Sequence, residues 1–212
     1  MKLADIRREY ALEALDRHHV DSDPLKQFQY WFKEAEEAHV HDSTAMTLAT
    51  ADANGVPSCR IVLLKGIEEQ KFVFYTNYQS KKGVELITNP VACLNFYWSE
   101  LERQVRVDGN VEKVSEEQSE SYFRSRPRES QISTWVSQQS QQVASREALE
   151  AKFAEIEKEY QNKEIPRPPH WGGFAVDPLR LEFWQGRTGR LHDRIVFEKQ
   201  TNGTWEIYRI AP

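Results

Sequence analysis

Met46-Thr47-Leu48-Ala49-Thr50-Ala51-Asp52-Ala53-Asn54-Gly55-Val56-Pro57 begins the part of the chain that decides the fold. The run Met46 to Ala51 meets the turn Asp52-Ala53-Asn54-Gly55, a second run spans Pro57 to Lys65, and after a polar loop a third spans Lys71 to Thr76. Short apolar segments joined by such turns predict three consecutive strands forming an antiparallel meander. Downstream, Ser80 caps a short helix that starts Lys81-Lys82-Gly83 and ends at Asn89-Pro90, and strands resume at Val91 to Trp98 and Gln104 to Val114. Ser115 to Gln118 is a capping-box pattern that opens a helix through Arg126; Pro127 ends or kinks it, and a second helical run follows from Glu129 to Ser137. A polar connector, Gln138 to Gln142, leads to a Ser145-capped helix reaching about Tyr160. The proline cluster Pro166 to Pro169 acts as a rigid connector, after which strands are expected at Phe174 to Val176, Leu181 to Trp184, Ile195 to Lys199 and Thr204 to Ile210.

Upstream, Asp23-Pro24 is an N-cap followed by proline at the first helical position, and Leu25, Phe28, Trp31, Phe32 and Ala35 form the apolar stripe of a helix over about 24 to 38. Leu3, Ile6, Tyr10 and Ala14 recur at helical spacing, so residues 1–20 are expected to form a helical arm outside one domain over residues 21–212. Roughly eight or nine short strands, hairpin-linked and interrupted by helices, predict a mainly β fold with α additions, a closed or partly closed antiparallel barrel.

A formal net charge of −5 argues against general nucleic-acid binding, which draws on clustered Lys and Arg. No apolar run approaches the roughly 18 residues of a membrane span, and the N-terminus lacks a signal-peptide segment, so a soluble cytoplasmic protein is expected. Cys59 and Cys93 sit in separate strand-like runs and read as small core hydrophobes, and no Cys or His cluster has metal-site spacing. Dinucleotide-fold, P-loop and nucleophile-elbow signatures are absent.

The cations gather locally instead. Ser80-Lys81-Lys82 at a helix start combines free N–H groups with two ammonium groups and suits a phosphate, although a solvated lysine pair reads equally well. Arg60-Ile61-Val62-Leu63-Leu64-Lys65 is a strand bracketed by cations whose odd spacing argues against a simple two-point clamp. Tyr122, Arg126 and Ser130 recur every four residues and would line one stripe of a continuous helix, which Pro127 makes doubtful. From Phe183 to Arg194 the chain packs an indole, three arginines, a histidine and an aspartate between two hinge glycines. If Arg190 to Arg194 runs extended, Arg190, His192 and Arg194 share one face, a cationic surface for an anionic ligand; an exposed basic strand end is the other reading.

These elements in this order resemble the pyridoxamine 5′-phosphate oxidase family, from Arg7-Arg8-Glu9-Tyr10 to Arg209-Ile210-Ala211-Pro212. Its markers include Arg60 to Lys65, Glu102-Arg103-Gln104-Val105, Tyr122 to Pro127, Trp171-Gly172-Gly173, Glu182 to Gly186 and Arg190-Leu191-His192-Asp193-Arg194. The resemblance implies an antiparallel FMN-binding split β-barrel surrounded by helices, a homodimer with FMN in clefts at the subunit interface, and O2 as electron acceptor. The activity implied is oxidation of pyridoxamine or pyridoxine 5′-phosphate to pyridoxal 5′-phosphate by hydride transfer from C4′ to flavin N5, with H2O2 formed. FMN would be held by Arg60, Ile61, Val62, Leu63, Leu64, Lys65, Tyr75, Thr76, Lys81, Lys82, Gln104, Gln139, Ser140, Trp184 and Arg194. The substrate phosphate would meet Lys65, Tyr122, Arg126 and Ser130, with Arg190, Leu191 and His192 at the pyridine ring and Arg7, Arg8, Glu9 and Tyr10 as a lid. Arg190 and His192 are the implied catalytic pair. Many members have Arg where this chain has Lys81, which forfeits a bidentate fork. Another split-barrel flavoprotein, such as a flavin reductase or carrier, and a non-enzymatic pyridoxal 5′-phosphate binding module are the rival readings.

Overall fold

Asp52 organises the first hairpin: its carboxylate accepts from the N–H groups of Asn54 (2.8 Å) and Val56 (2.9 Å), and Gly55 takes φ +79°, which glycine adopts without strain. The structure is a computed structural model and describes Leu12 and residues 14–212. The expected lid residues Arg7, Arg8, Glu9 and Tyr10 lie outside the described residues.

Helix α1 (Pro24–Glu37) leads into β1 (Ala45–Ala51), β2 (Pro57–Leu63), β3 (Gly66–Glu68), β4 (Lys71–Asn77), α2 (Lys81–Thr88), β5 (Val91–Trp98) and β6 (Arg103–Lys113). Three helices follow, α3 (Glu116–Ser125), α4 (Arg128–Val136) and α5 (Arg146–Glu159), then β7 (Trp171–Gln185), β8 (Asp193–Lys199) and β9 (Trp205–Arg209). The polar loop expected after Lys65 holds β3, too short to carry a readable period. The caps read from sequence are made: Asp23, Ser80, Ser115 and Ser145 each accept from a backbone N–H of the first turn.

All strand pairings are antiparallel, in the order β2-β1-β5-β6-β7-β4-β3, with β8 on β7 and β9 on β8, so the expected three-strand meander holds only for β1 and β2, and β4 pairs with β7 and β3 instead. Two strands expected at Phe174 to Val176 and Leu181 to Trp184 are one strand, β7. Pro178 lies between those two runs, and β7 absorbs it at a bulge: Gly109 of β6 pairs with Pro178 and Asp108 with Arg180, leaving Leu179 as the extra residue. At the same point the other edge of β7 changes partner. Residues Trp171–Val176 pair with β4, whereas Arg180–Gln185 pair with β8. The sheet therefore curls as a half-barrel that splits midway along β7.

The concave face is filled by α1, whose Phe28 lies 5.0 Å from both Phe72 and Phe96 and whose Trp31 lies 5.2 Å from Phe183, centroid to centroid. These rings are essentially fully buried, each contributing on the order of 1.5–3 kcal/mol of transfer free energy. Phe123, Ile132, Ile156, Ile165 and Trp171 form a second core, which holds α3, α4 and α5 against the start of β7. Between this core and β2 lies the main cleft.

Candidate functional site

Pro127 decides how the cleft is built. The residue before a proline is pushed out of the helical region, and Arg126 accordingly closes α3 in extended backbone (φ −73°, ψ 148°). The helix is thus broken at Pro127, as the proline suggested, and the three residues stand at a corner between two helices rather than on one continuous stripe. Tyr122, Arg126 and Ser130 nevertheless meet at one cavity of about 790 Å³, with Arg60, Ile61, Val62, Leu63 and Lys65 from the β2 side, Tyr75, Thr76 and Lys82 from the floor, and Gln139 from the connector. The edge position of β2 lets residues of both parities reach the cleft, so the odd spacing of Arg60 and Lys65 is no obstacle.

At the floor, Lys82 is 8% exposed and donates to Gln139 Oε1 (3.0 Å), Thr76 Oγ1 (3.3 Å) and Ser80 Oγ (3.3 Å). Burial, with Arg60 nearby, pushes its ammonium down to about 8. Arg60 instead leans on Glu85 (3.3 Å), a buried carboxylate of α2 that also accepts from Thr50 (2.5 Å) and Ser58 (2.7 Å) and pairs with Lys81. Against its own burial, those bonds hold Glu85 down at about 2. Glu85 thus engages Arg60 and Lys81, while Lys82 and Arg126 have no carboxylate in salt-bridge range among the described residues.

At the other wall, Tyr75, Tyr122 and Trp171 stack nearly parallel, with Tyr75 and Tyr122 centroids 3.9 Å apart. Arg126 lies 4.6 Å over the Trp171 ring and donates to Thr134 Oγ1 (2.7 Å); its burial lowers its affinity for a proton. Desolvation also raises the Tyr75 phenol to about 12, so that hydroxyl is a donor at neutral pH. Two desolvated cations of this kind, at separate places in one cavity, suit an anionic ligand with more than one charged group.

Several expected residues stand elsewhere. Leu64 is buried in the main core, Lys81 is exposed and paired with Glu85, and Ser140 is exposed at φ 72°. Gln104, Trp184 and Arg194 form one row across β6, β7 and β8, away from the cleft lining. Nor do Arg190 to Arg194 run as one strand: Thr188–Arg190 is a 3₁₀ turn with Arg190 at φ 61°, and β8 begins only at Asp193. The shared-face expectation fails because Gly189 and Arg190 both take left-handed backbone. Arg190 and Leu191 are exposed, while His192 packs on Trp184 at 4.8 Å and its Nδ1 accepts from Arg187 N–H (3.1 Å). Sequence reasoning gave no role to Thr134, Glu85 or Glu182, and quoted Trp171 only as a marker; Thr134, one helical turn after Ser130, was the findable one.

A split antiparallel barrel with a cationic cleft between its edge strand and a helical flank defines a split-barrel ligand-binding class. The pyridoxamine 5′-phosphate oxidase profile matches residues 32–160, and that of the pyridoxine 5′-phosphate oxidase C-terminal dimerisation region matches residues 171–212. The pyridoxine/pyridoxamine 5′-phosphate oxidase of Leptospira interrogans is 56% identical over 100% of this chain and 99% of that protein. Among solved structures, PhzG from Burkholderia lata, in complex with tetrahydrophenazine-1-carboxylic acid, superposes with a TM-score of 0.89 at 28% identity, covering 95% of this chain and all of that one. A pyridoxamine 5′-phosphate oxidase-related, FMN-binding protein from Nostoc punctiforme shares the fold, with a TM-score of 0.72 at 16% identity over 91% of this chain and all of that one. The chain belongs to the pyridoxamine 5′-phosphate oxidase family, a family of enzymes.

Proposed function

We propose that the chain is an FMN-dependent oxidase that converts pyridoxamine 5′-phosphate or pyridoxine 5′-phosphate to pyridoxal 5′-phosphate, acting as a cytoplasmic homodimer. The observation that carries this reading is the pair of desolvated cations, Lys82 and Arg126, in one cleft with no carboxylate in salt-bridge range among the described residues. Two phosphate monoesters, one of cofactor and one of substrate, satisfy both. The donor set at Lys82, with Thr76, Gln139 and Arg60 beside it, fits the phosphate end of FMN. Tyr122, Arg126, Ser130 and Lys65 fit the phosphate of the substrate.

The second set, Gln104, Trp184 and Arg194, completes the site from the partner subunit. Its row continues through Tyr97, and the same sheet face carries Ile61 (65% exposed), an apolar surface suited to a second copy of the chain. Arg190 and His192 arrive with that set, Arg190 to orient the substrate's pyridine ring as hydride leaves C4′, His192 to position the ring hydroxyl. FMN supplies, when bound, the acceptor of the C4′ hydride and the route by which the electron pair reaches O2 as H2O2. The protein's task is to hold C4′ in line and to exclude water, so no protein nucleophile is needed.

A flavin reductase or carrier needs neither the Tyr122-Arg126-Ser130 corner nor Arg190 and His192. Anaerobic mixing of the purified yellow protein with pyridoxamine 5′-phosphate tests the reading. Bleaching of the flavin, then recovery in air with pyridoxal 5′-phosphate and H2O2 formed, is expected; a flavin that stays oxidised overturns it.

A further inference from the structure

Glu182 stands in β7 one position before the core residue Phe183, yet it is 1% exposed and faces three arginines. Its two oxygens divide the work. Oε2 receives Arg180 Nη2 (2.9 Å), with Arg106 Nη1 at 3.8 Å, whereas Oε1 takes both Nε (2.8 Å) and Nη2 (2.6 Å) of Arg194. The remaining terminal nitrogen of Arg194, Nη1, donates to the carbonyl of Ala211 (3.0 Å). Two N–H groups of Arg194 are thereby hydrogen-bonded inside the chain and its Nη2 is held in ion-pair contact, which fixes the guanidinium plane and leaves N–H groups of the terminal nitrogens for a ligand. A buried carboxylate is not needed for stability alone, since apolar residues of similar volume commonly serve as well, but it does fix one geometry.

We infer that Glu182 is a positioning residue that pre-orients Arg194 for the flavin, an inference that rests on the FMN reading given above. Without the carboxylate, Arg194 keeps its charge but loses its fixed direction, so cofactor affinity falls before folding does. Its partner Arg180 bonds the other oxygen, so removing Arg180 disturbs the buried cluster without freeing Arg194.

Fluorescence titration of FMN into the apo full-length chain, with thermal unfolding in parallel, provides the test. E182Q is expected to raise the FMN Kd about tenfold or more, as loss of an outer-shell orienting partner does elsewhere. R180M is expected to lower Tm while leaving the FMN Kd within about twofold, because it removes no bond to Arg194. In an R194Q background, E182Q should add nothing further to the Kd although it still lowers Tm, because a residue acting through Arg194 has nothing left to orient. An unchanged Kd in E182Q, or an equal increase with and without Arg194, overturns the inference. If E182Q does not fold, E182D, which keeps the charge and withdraws it by one methylene, undergoes the same comparison. A wild-type chain that takes up no FMN overturns the functional reading and this inference with it; wild-type uptake with no effect of E182Q overturns the inference alone.

Discussion

Lys82 is held in the protein at a cost that an anion removes. Its proton affinity is depressed from the ordinary 10.5 to about 8, so between those values the unfolded chain binds more protons and the apo protein gains stability from this group as pH rises. Ligand binding runs the other way, because the anion needs the charged form. FMN affinity of the apo protein is expected to fall as pH rises through about 8, and Lys82→Met to weaken binding at neutral pH while flattening that slope; titrations at about pH 7 and about pH 9.5 check both. At the opposite wall, Arg126→Ala removes a charge-assisted contact worth roughly 1.5–3 kcal/mol and should raise KM for pyridoxine 5′-phosphate by about one to two decades. An unchanged KM in steady-state assays would contradict the assignment of that corner to the substrate. Lys82 and Arg126 were legible in the sequence, one from a capped helix start and the other from its spacing with Tyr122 and Ser130. Glu85 and Glu182 were not, since their importance lies in which other strands bring Arg60, Arg106 and Arg194 to them.

Among the elements, β7 departs furthest from its expected form. Periodicity named its two apolar halves as separate strands, but continuity was set by the bulge opposite Gly109, a partner far away in sequence. A Cβ at Gly109 would come within 2.3 Å of the Asp177 carbonyl oxygen and 2.9 Å of Val176 Cγ1. Gly109→Ala is therefore expected to destabilise the protein by about 1–3 kcal/mol, the usual cost of overpacking, measurable by urea denaturation. The turn at Thr188–Arg190 failed for a related reason: alternation fixes side-chain faces only where the backbone stays extended, and Gly189 and Arg190 do not. Caps and the β1–β2 hairpin, whose causes lie within a few residues, were read correctly; β3, the placement of β4 beside β7 rather than β2, and the splitting of the sheet arise from pairing that local pattern does not encode.

For the whole molecule, the length of β7 has a genetic consequence. Trp171, at its start, lines the cleft, and Trp184 stands near its end, a contour of about 40 Å away at roughly 3.3 Å per residue. One strand thus carries a proposed half-site at each end, and in the proposed homodimer every working site would draw its halves from different chains. Damage to the two halves should then be separable by subunit. A chain disabled at Lys82 and Arg126 and a chain disabled at Arg190 and Arg194 would each be inactive alone, yet a hybrid of the two would hold one undamaged site and one doubly damaged site. Co-refolding equal amounts should restore about a quarter of wild-type turnover, because about half the dimers are then hybrids with one of two sites intact. Complementation between two dead alleles would make the reach of a single strand visible as a phenotype.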